Sequence, residues 1–571
     1  MRIDHLRITA LFLALILLLS GCGSTSSGGG TTAEDEEDIV PENCFTVTLE
    51  DEPWDIYTPY EEIGYGYRYG PSIMVTENDT VNAWYSSLGA FGQADFILHN
   101  SSSDGGHTWT DEDCALMPTA DSWDSFSCCD PCAVYFGGYY YIAYTSTIDT
   151  KGYCNSAFVA RCDTIDGTYE KWNGSGWGGN SPMPFIRWDG IQQCWGIGEV
   201  SFVVMDDTLY IYYTMRDLER NYACLATADV NNENWPGELE YHGMAVDMDD
   251  EESGVEFRYV DEYESFIAVS VASVRSKDSY LIVYTSQDGE NYTATQRLTQ
   301  GMHSFAHNPG LSGDERGHIT DASNVLLGYA YGDEWGTWAT CLQKLSLIYS
   351  EKTDFSDMAN NEVSKRHKIE KRATPEEFVP VTITTKPHKY VKKLSDGNFA
   401  IEVYQINSMY QHVINTVPIK CSGYDESVVS ITDATVTPVG VGETWVDVEC
   451  IGKHCVCKII ICADDVDPDS TRVVSFSSFY DKMTVKKDAE IPTQIRAIIG
   501  LENTVWGEAS NIADESAVFP KKDYELTYES SDPDVLLMTD SGLITPFKTG
   551  TSTVKVRLNG QRSFTVEVTV E

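Results

Sequence analysis

The stretches DPCAVYFGGYYYIAYTS (130–146) and GEVSFVVMDDTLYIYYT (198–214) decide how this chain is read. Each joins a run of β-branched and aromatic residues, a turn carrying Gly or Asp, and a second run rich in Tyr. Gly and Asp supply the turn backbone and alternation supplies a buried face, which is the grammar of a β-hairpin. The phrase recurs as PSIMVTENDTVNAWYSS (71–87), as VEFRYVDEYESFIAVSV (255–271) with DSYLIVYTSQDG (278–289), and as HNPGLSGDERGHI (307–319) with NVLLGYAYG (324–332). Five units spaced about every 50 residues predict an all-β chain whose residues 44–350 form a five-bladed β-propeller. SSDGGHTW (102–109) and SQDGENY (286–292) are Asp-box turns, in which an Asp side chain bonds turn amides. They mark blades and carry no chemistry.

The 571 residues hold 39 Lys plus Arg against 88 Asp plus Glu, a formal net charge of −49. So acidic a chain repels phosphate backbones, which excludes general nucleic-acid binding. With 42% hydrophobic and 12% aromatic residues it has the material for real cores.

The N-terminus, MRIDHLRITALFLALILLLSGC, places an apolar run at Ile8–Leu19 behind Arg2 and Arg7. That run falls short of the roughly 20 residues a membrane span needs, so it reads as a signal-peptide core. Leu19-Ser20-Gly21-Cys22 resembles the bacterial lipobox. The resemblance implies removal of residues 1–21 and lipidation of Cys22, which places the chain on the extracellular face of the bacterial membrane, held there by its lipid alone. Residues 22–43 have the Gly/Ser-rich composition of a flexible tether, and a monomer is expected. Outside the cytoplasm the other cysteines of the 16 predict disulfides. Cys128, Cys129 and Cys132 lack the second pair a zinc knuckle needs.

Beyond residue 350 the composition changes. Residues 351–384 read as a linker, and the segments 385–463 and 470–571 both carry a strand, an Asp turn, a strand, then Val-Gly or Thr-Gly before an alternating last strand. They resemble bacterial immunoglobulin-like group 2 domains, which implies two β-sandwiches acting as a stalk or an adhesive hand.

In a propeller the first strand of each blade lines the axis. Cys129-Asp130-Pro131 and Gly196-Ile197-Gly198-Glu199 open two adjacent blades, giving the two carboxylates that glycoside hydrolysis uses. The DP…GYYYIAYTS and GE…VVMDDTLYIYYT phrases resemble the propeller glycosidases of family 43 and its arabinanase, xylosidase and fructosidase relatives. The resemblance covers about 65–350 and implies that Glu199 is the general acid, that Asp130 orients and tunes it, that the substrate is a carbohydrate, and that no cofactor is required, with calcium as an optional ligand. One position departs from the family. Gly70, in Tyr67-Arg68-Tyr69-Gly70-Pro71, stands where the family has an Asp base, and Asp95 and Asp124 are the nearby substitutes.

Further substrate contacts are expected from Arg68 and Tyr69, from Trp195 and from His307. Arg68 suits a sugar carboxylate, as in sialidases. Trp123, Trp188 and Trp335 are further stacking candidates. The missing Asp makes a glycan-binding protein that has lost hydrolysis the rival expectation.

Overall fold

The computed structural model describes residues 43–63, 66–217, 220–248, 252–350, 369–489, 492–509 and 524–571. The signal peptide, Cys22, most of the tether and much of the expected linker lie outside the described residues. Among the described residues every regular element is a β-strand or a single 3-10 turn.

Residues 44–350 hold five antiparallel arrays of four strands. The first runs through Arg68–Thr76, Thr80–Leu88, Asp95–Ser102 and Asp113–Leu116. The second, third and fourth follow in sequence, with first strands Cys129–Phe136, Gly196–Met205 and Glu256–Val260. The fifth takes Ala306–Gly313, Val325–Tyr331 and Ala339–Ser350 from the end of the region and Cys44–Leu49 from its beginning. The N-terminal strand therefore completes the last array, pairing Cys44 with Ser350 and Leu49 with Leu345.

The fifth array joins the first through parallel pairing of Ser312 with Ile73 and Gly313 with Met74, and its short strand His318–Ile319 pairs in parallel with Tyr259 and Val260 of the fourth. Aromatic and aliphatic cores fill the spaces between neighbours. Val134, Phe202 and Trp235 pack between the second and third arrays, and Tyr212 stacks on Phe257 at 3.9 Å between the third and fourth. Inner strands are thus covered on both faces, so Ser265–Ala272 is buried at every position.

The first strands neighbour one another in the order first, second, third, fourth, fifth and back to first. A repeated clasp joins them. Ser72 Oγ accepts the Ala133 amide at 3.0 Å, Cys132 Sγ accepts the Phe202 amide at 3.3 Å, and Ser201 Oγ accepts the Phe257 amide at 3.0 Å. Cys132 thus occupies a serine position in the repeat.

The expected disulfides are not found: no disulfide joins any pair of the described cysteines. Most are buried in strands, where they pack as small apolar side chains. Cys132→Ser is accordingly expected to leave the urea midpoint nearly unchanged, whereas Cys132→Val, which leaves the Phe202 amide unpaired, is expected to cost about 1–3 kcal/mol. Equal losses in both variants would contradict the clasp.

Two sandwiches follow. In the first, Lys389–Lys393 pairs in parallel with the last strand, Lys453–Cys462, which continues to Gly442–Cys450 and Lys420–Ser422. In the second, Lys482–Val485 pairs in parallel with Arg562–Val570, which continues to Gly550–Leu558 and Leu526–Ser530. The two share this sheet order. The first sandwich begins with the strand Pro380–Thr385, ahead of the boundary expected at 385.

Both sandwiches dock on the five-array region. In the first, Lys389 and Lys458 reach Asp121 at 2.9 and 2.7 Å, the Trp445 indole donates to Ala120 O at 3.0 Å, and Tyr410 enters beneath Arg68. In the second, Phe479 and Trp506 pack on Trp123 at 4.2 and 4.5 Å, and Arg187 is sandwiched between the Phe479 and Tyr480 rings at 3.8 and 3.7 Å. These contacts are those of fixed neighbours, and a freely swinging stalk would not make them.

Candidate active site

Four of the five first strands open with the same device. A register shift falls between Tyr69 and Ser72, Cys129 and Cys132, Gly198 and Ser201, and His307 and Gly310. Inside each bulge one residue takes the left-handed backbone: Gly70 at φ 59°, Asp130 at 49°, Glu199 at 47° and Asn308 at 46°. A bulge re-aims the side chain it carries and frees its amide from the ladder. The preceding array catches that amide: Asp130 N–H donates to Ser86 Oγ at 2.8 Å, Glu199 N–H to Thr145 Oγ1 at 2.8 Å, and Asn308 N–H to Ser253 Oγ at 3.2 Å. Strain stored on three non-glycine residues at one place is the signature of a site.

The bulges meet at one pocket, lined by Gly70, Asp130, Glu199, Gly254, Glu256 and Asn308. Sequence reading placed Asp130 and Glu199 at blade openings, and the structure brings the two together. Glu199 is held from two sides. Arg216 Nη2 donates to its carboxylate oxygens at 3.3 and 3.0 Å, and Asn308 Nδ2 donates to Oε1 at 3.2 Å. The Arg216 guanidinium lies 4.9 Å over the half-buried Trp195 ring, so Trp195 serves the Glu199 clamp.

Among the described residues no cation contacts Asp130. Burial, and after it the charge of Glu199, raises its pKa to about 7, against weaker help from the Thr145 hydroxyl and the Cys129 thiol. Near pH 7 Asp130 is therefore still partly protonated while its neighbour is paired to an arginine. Asp95 is the next carboxylate. Its Oδ1 accepts the Tyr67 hydroxyl at 2.7 Å, and burial lifts its pKa to about 6 against the Tyr67 and Tyr69 hydroxyls. Glu256, a lining residue which the sequence reading missed, is also raised by burial and is ion-paired with Arg258.

Gly70 is a real gap in this constellation. A Cβ built there would lie 3.6 Å from Asp130 Oδ1, an ordinary contact, and Asp130 itself shows that an Asp fits this backbone. Gly70→Asp is expected to fold and, by adding a like charge beside Asp130, to move any alkaline limb of activity to higher pH. A limb that stays in place would show that the new carboxylate faces elsewhere.

Other sequence candidates fall outside the pocket. Arg68 is fully buried. Its Nε and Nη2 form a bidentate pair with Glu112 at 3.0 and 2.7 Å, and its Nη1 is taken by Tyr67 O and the Tyr410 hydroxyl. It is an internal tie and has no face for a substrate carboxylate, which corrects the anion-site expectation. Asp124 is locked to Lys171, Ser122 and Tyr144, too far inside to replace a base. Trp188 is buried, its indole bonded to Ile191 O, and Trp123 belongs to the contact with the second sandwich.

His307 adjoins the site. Its Nδ1 contacts Asn308 Oδ1 at 2.7 Å, while Nε2 has no partner among the described residues. Burial pushes its pKa down to about 3, so the ring is neutral and fixes the Asn308 side chain that bonds Glu199. Tyr69 lies over it at 6.3 Å. Among the described residues no group of three or more His, Cys, Asp or Glu is arranged to hold a metal ion.

Comparison with known proteins bears on both halves of the chain. The bacterial Ig-like domain family matches residues 524–571, within the second sandwich. No curated protein matches the chain. Among solved structures the chain is similar to an alpha-L-arabinofuranosidase from Podospora anserina in complex with cellotriose, at 11% identity over 54% of this chain and 98% of that one, TM-score 0.40. It is also similar to a family 117 glycoside hydrolase from Zobellia galactanivorans, at 16% identity over 57% and 96%, TM-score 0.40. An endo-arabinase from Bacteroides thetaiotaomicron matches at 12% identity over 52% and 97%, TM-score 0.37.

Proposed function

We propose that this chain is an exported, lipid-anchored glycoside hydrolase built on a five-bladed β-propeller, with Asp130 and Glu199 as its catalytic carboxylates. The observation that carries the reading is their pairing: two carboxylates on equivalent bulges of adjacent first strands, one raised by burial and one clamped by Arg216 and Asn308. Environments that separate two neighbouring carboxyl groups divide an acid role from a base or nucleophile role. The division supported here reverses the one the family resemblance implies. Asp130 carries the proton to the leaving oxygen, and Glu199, positioned by Arg216, acts on water or on the anomeric carbon. With the roles split this way, the carboxylate missing at Gly70 is not required for the chemistry. The five-array region with its ring of first strands supports the propeller, and Leu19-Ser20-Gly21-Cys22 supports the anchor and the extracellular location. The chain works as a monomer and needs no cofactor in this reading.

Gly70 favours a second reading, a glycan-binding surface protein that no longer hydrolyses. Release of sugar from aryl glycosides and oligosaccharides by the intact chain separates the two. Turnover that Asp130→Asn removes supports the enzyme; binding without turnover supports the second reading. A sialidase-like enzyme loses its footing once Arg68 is spent on Glu112.

A further inference from the structure

Beside the pocket an aromatic ladder runs from solvent toward Asp130. Its top is Trp335, 69% exposed, the largest exposure among the exposed large hydrophobic side chains. A single exposed apolar residue needs no explanation, but this one is fixed in place. Its ring lies 5.7 Å from both Tyr67 and Trp338, edge-on to each. Trp338 is buried and touches Tyr69 at 5.6 Å and His307 at 4.5 Å. Tyr69 directly precedes Gly70, which lines the pocket wall.

The turn that displays Trp335 is anchored. It joins Val325–Tyr331 to Ala339–Ser350 at the end where Ala306 pairs with Tyr331, which is the pocket end of the fifth array. Thr337 N–H donates to Glu334 O at 3.2 Å, and Gly66 N–H donates to Gly336 O at 2.6 Å, pinning the turn to the segment before the first array. A large apolar face held open to water at no further cost in ordering is suited to a ligand with an apolar face of its own.

From this geometry we infer that Trp335, backed by Tyr67 and Trp338, is a stacking subsite for a sugar unit of a neutral oligosaccharide whose chain continues past Tyr69 into the pocket. Sugar rings present C–H groups on one face, and these pack on an indole face through dispersion and weak C–H contacts. The neutral class follows from the surroundings. Asp333 and Glu334, both exposed, flank Trp335 in sequence, so an anionic unit stacked on its ring meets like charge. Arg68 and Arg216 do not offset this, being spent on Glu112 and Glu199. The inference rests on the proposed function for the role of the pocket, and its test reads binding alone, so the two can fail separately.

The test uses the intact chain carrying Asp130→Asn to stop turnover, with and without Trp335→Ala. Affinity is measured by calorimetry for arabinotriose, xylotriose, mannotriose, galactotriose and trigalacturonate, and for the matching monosaccharides. Trp335 is largely exposed, so circular dichroism should be unchanged in Trp335→Ala and the urea midpoint should fall only by the loss of its edge contacts to Tyr67 and Trp338. At least one neutral trisaccharide should bind about tenfold or more tightly than its monosaccharide, and Trp335→Ala should erase most of that gap while Trp335→Phe keeps part of it. A gap that survives Trp335→Ala, tightest binding of trigalacturonate, or no binding by any neutral trisaccharide would overturn the inference. Trp335-dependent binding by a wild-type chain that hydrolyses nothing would leave the inference standing and remove the enzyme.

Discussion

Asp130→Asn should lower the rate of oligosaccharide hydrolysis by roughly 10²–10⁴-fold, the contribution of a positioned acid, and should do so without altering the fold. The wild-type rate should fall as pH rises through about 7, where the raised Asp130 carboxyl ionises and can no longer donate. The sign follows from the cause: burial and Glu199 both favour the protonated form, so the competent state lies below that pKa. Glu199→Gln should also cost about 10²–10⁴-fold, and because it removes the charge that holds Asp130 up, the alkaline limb of its residual activity should move to lower pH.

Leaving-group chemistry distinguishes the two carboxylates. An aryl glycoside with an acidic phenol leaves without a proton, so Asp130→Asn should lose far less on it than on an oligosaccharide. Glu199→Gln should lose on both. If the reverse holds, with Glu199→Gln rescued by the good leaving group, the acid is Glu199 and the family's usual division applies.

The second large effect is on stability. Arg68→Ala should destabilise the chain by about 3–5 kcal/mol in urea unfolding, since it strips a buried bidentate pair and leaves Glu112 without its cation. The same change removes the stacking of the guanidinium on Tyr57, at 4.3 Å, and its bond to Tyr410 from the first sandwich. The loss should therefore appear in both modules, with the contact at Tyr410 loosened. A double variant, Arg68→Met with Glu112→Leu, should recover part of the stability, because an apolar pair of similar volume avoids the stranded charge. An Arg68→Ala chain of unchanged stability that loses affinity for an acidic sugar would contradict the buried-tie assignment and restore the anion site.

The hairpin phrases revealed the arrays because strand and turn chemistry is local. Val/Ile/Tyr runs bounded by Asp-Gly or Gly-Gly turns need no knowledge of neighbours, and Asp130 and Glu199 were legible because each opens such a phrase. What makes them a site was not. Arg216 and Asn308 come from other strands, 17 and 109 residues away from Glu199, and the hydroxyls of Ser86 and Thr145 that catch the freed amides look like ordinary strand residues. Arg68 misled because an arginine in an aromatic opening reads alike whether it faces the axis or Glu112. Cys132 misled because a chain rich in cysteines suggests disulfides, and only the clasps at Ser72 and Ser201 show the role it fills. The docking of the sandwiches lay beyond reach for the same reason: Asp121, Trp123 and Arg187 acquire their meaning from partners more than 250 residues downstream.

The most direct test is sugar release from a panel of neutral oligosaccharides by the intact chain, followed from pH 5 to pH 9 for wild type and Asp130→Asn. Hydrolysis by wild type that declines through about pH 7 and is lost in Asp130→Asn is the predicted result. Hydrolysis at the same rate in both chains, or none by wild type on any member of the panel, would contradict a catalytic pair at Asp130 and Glu199.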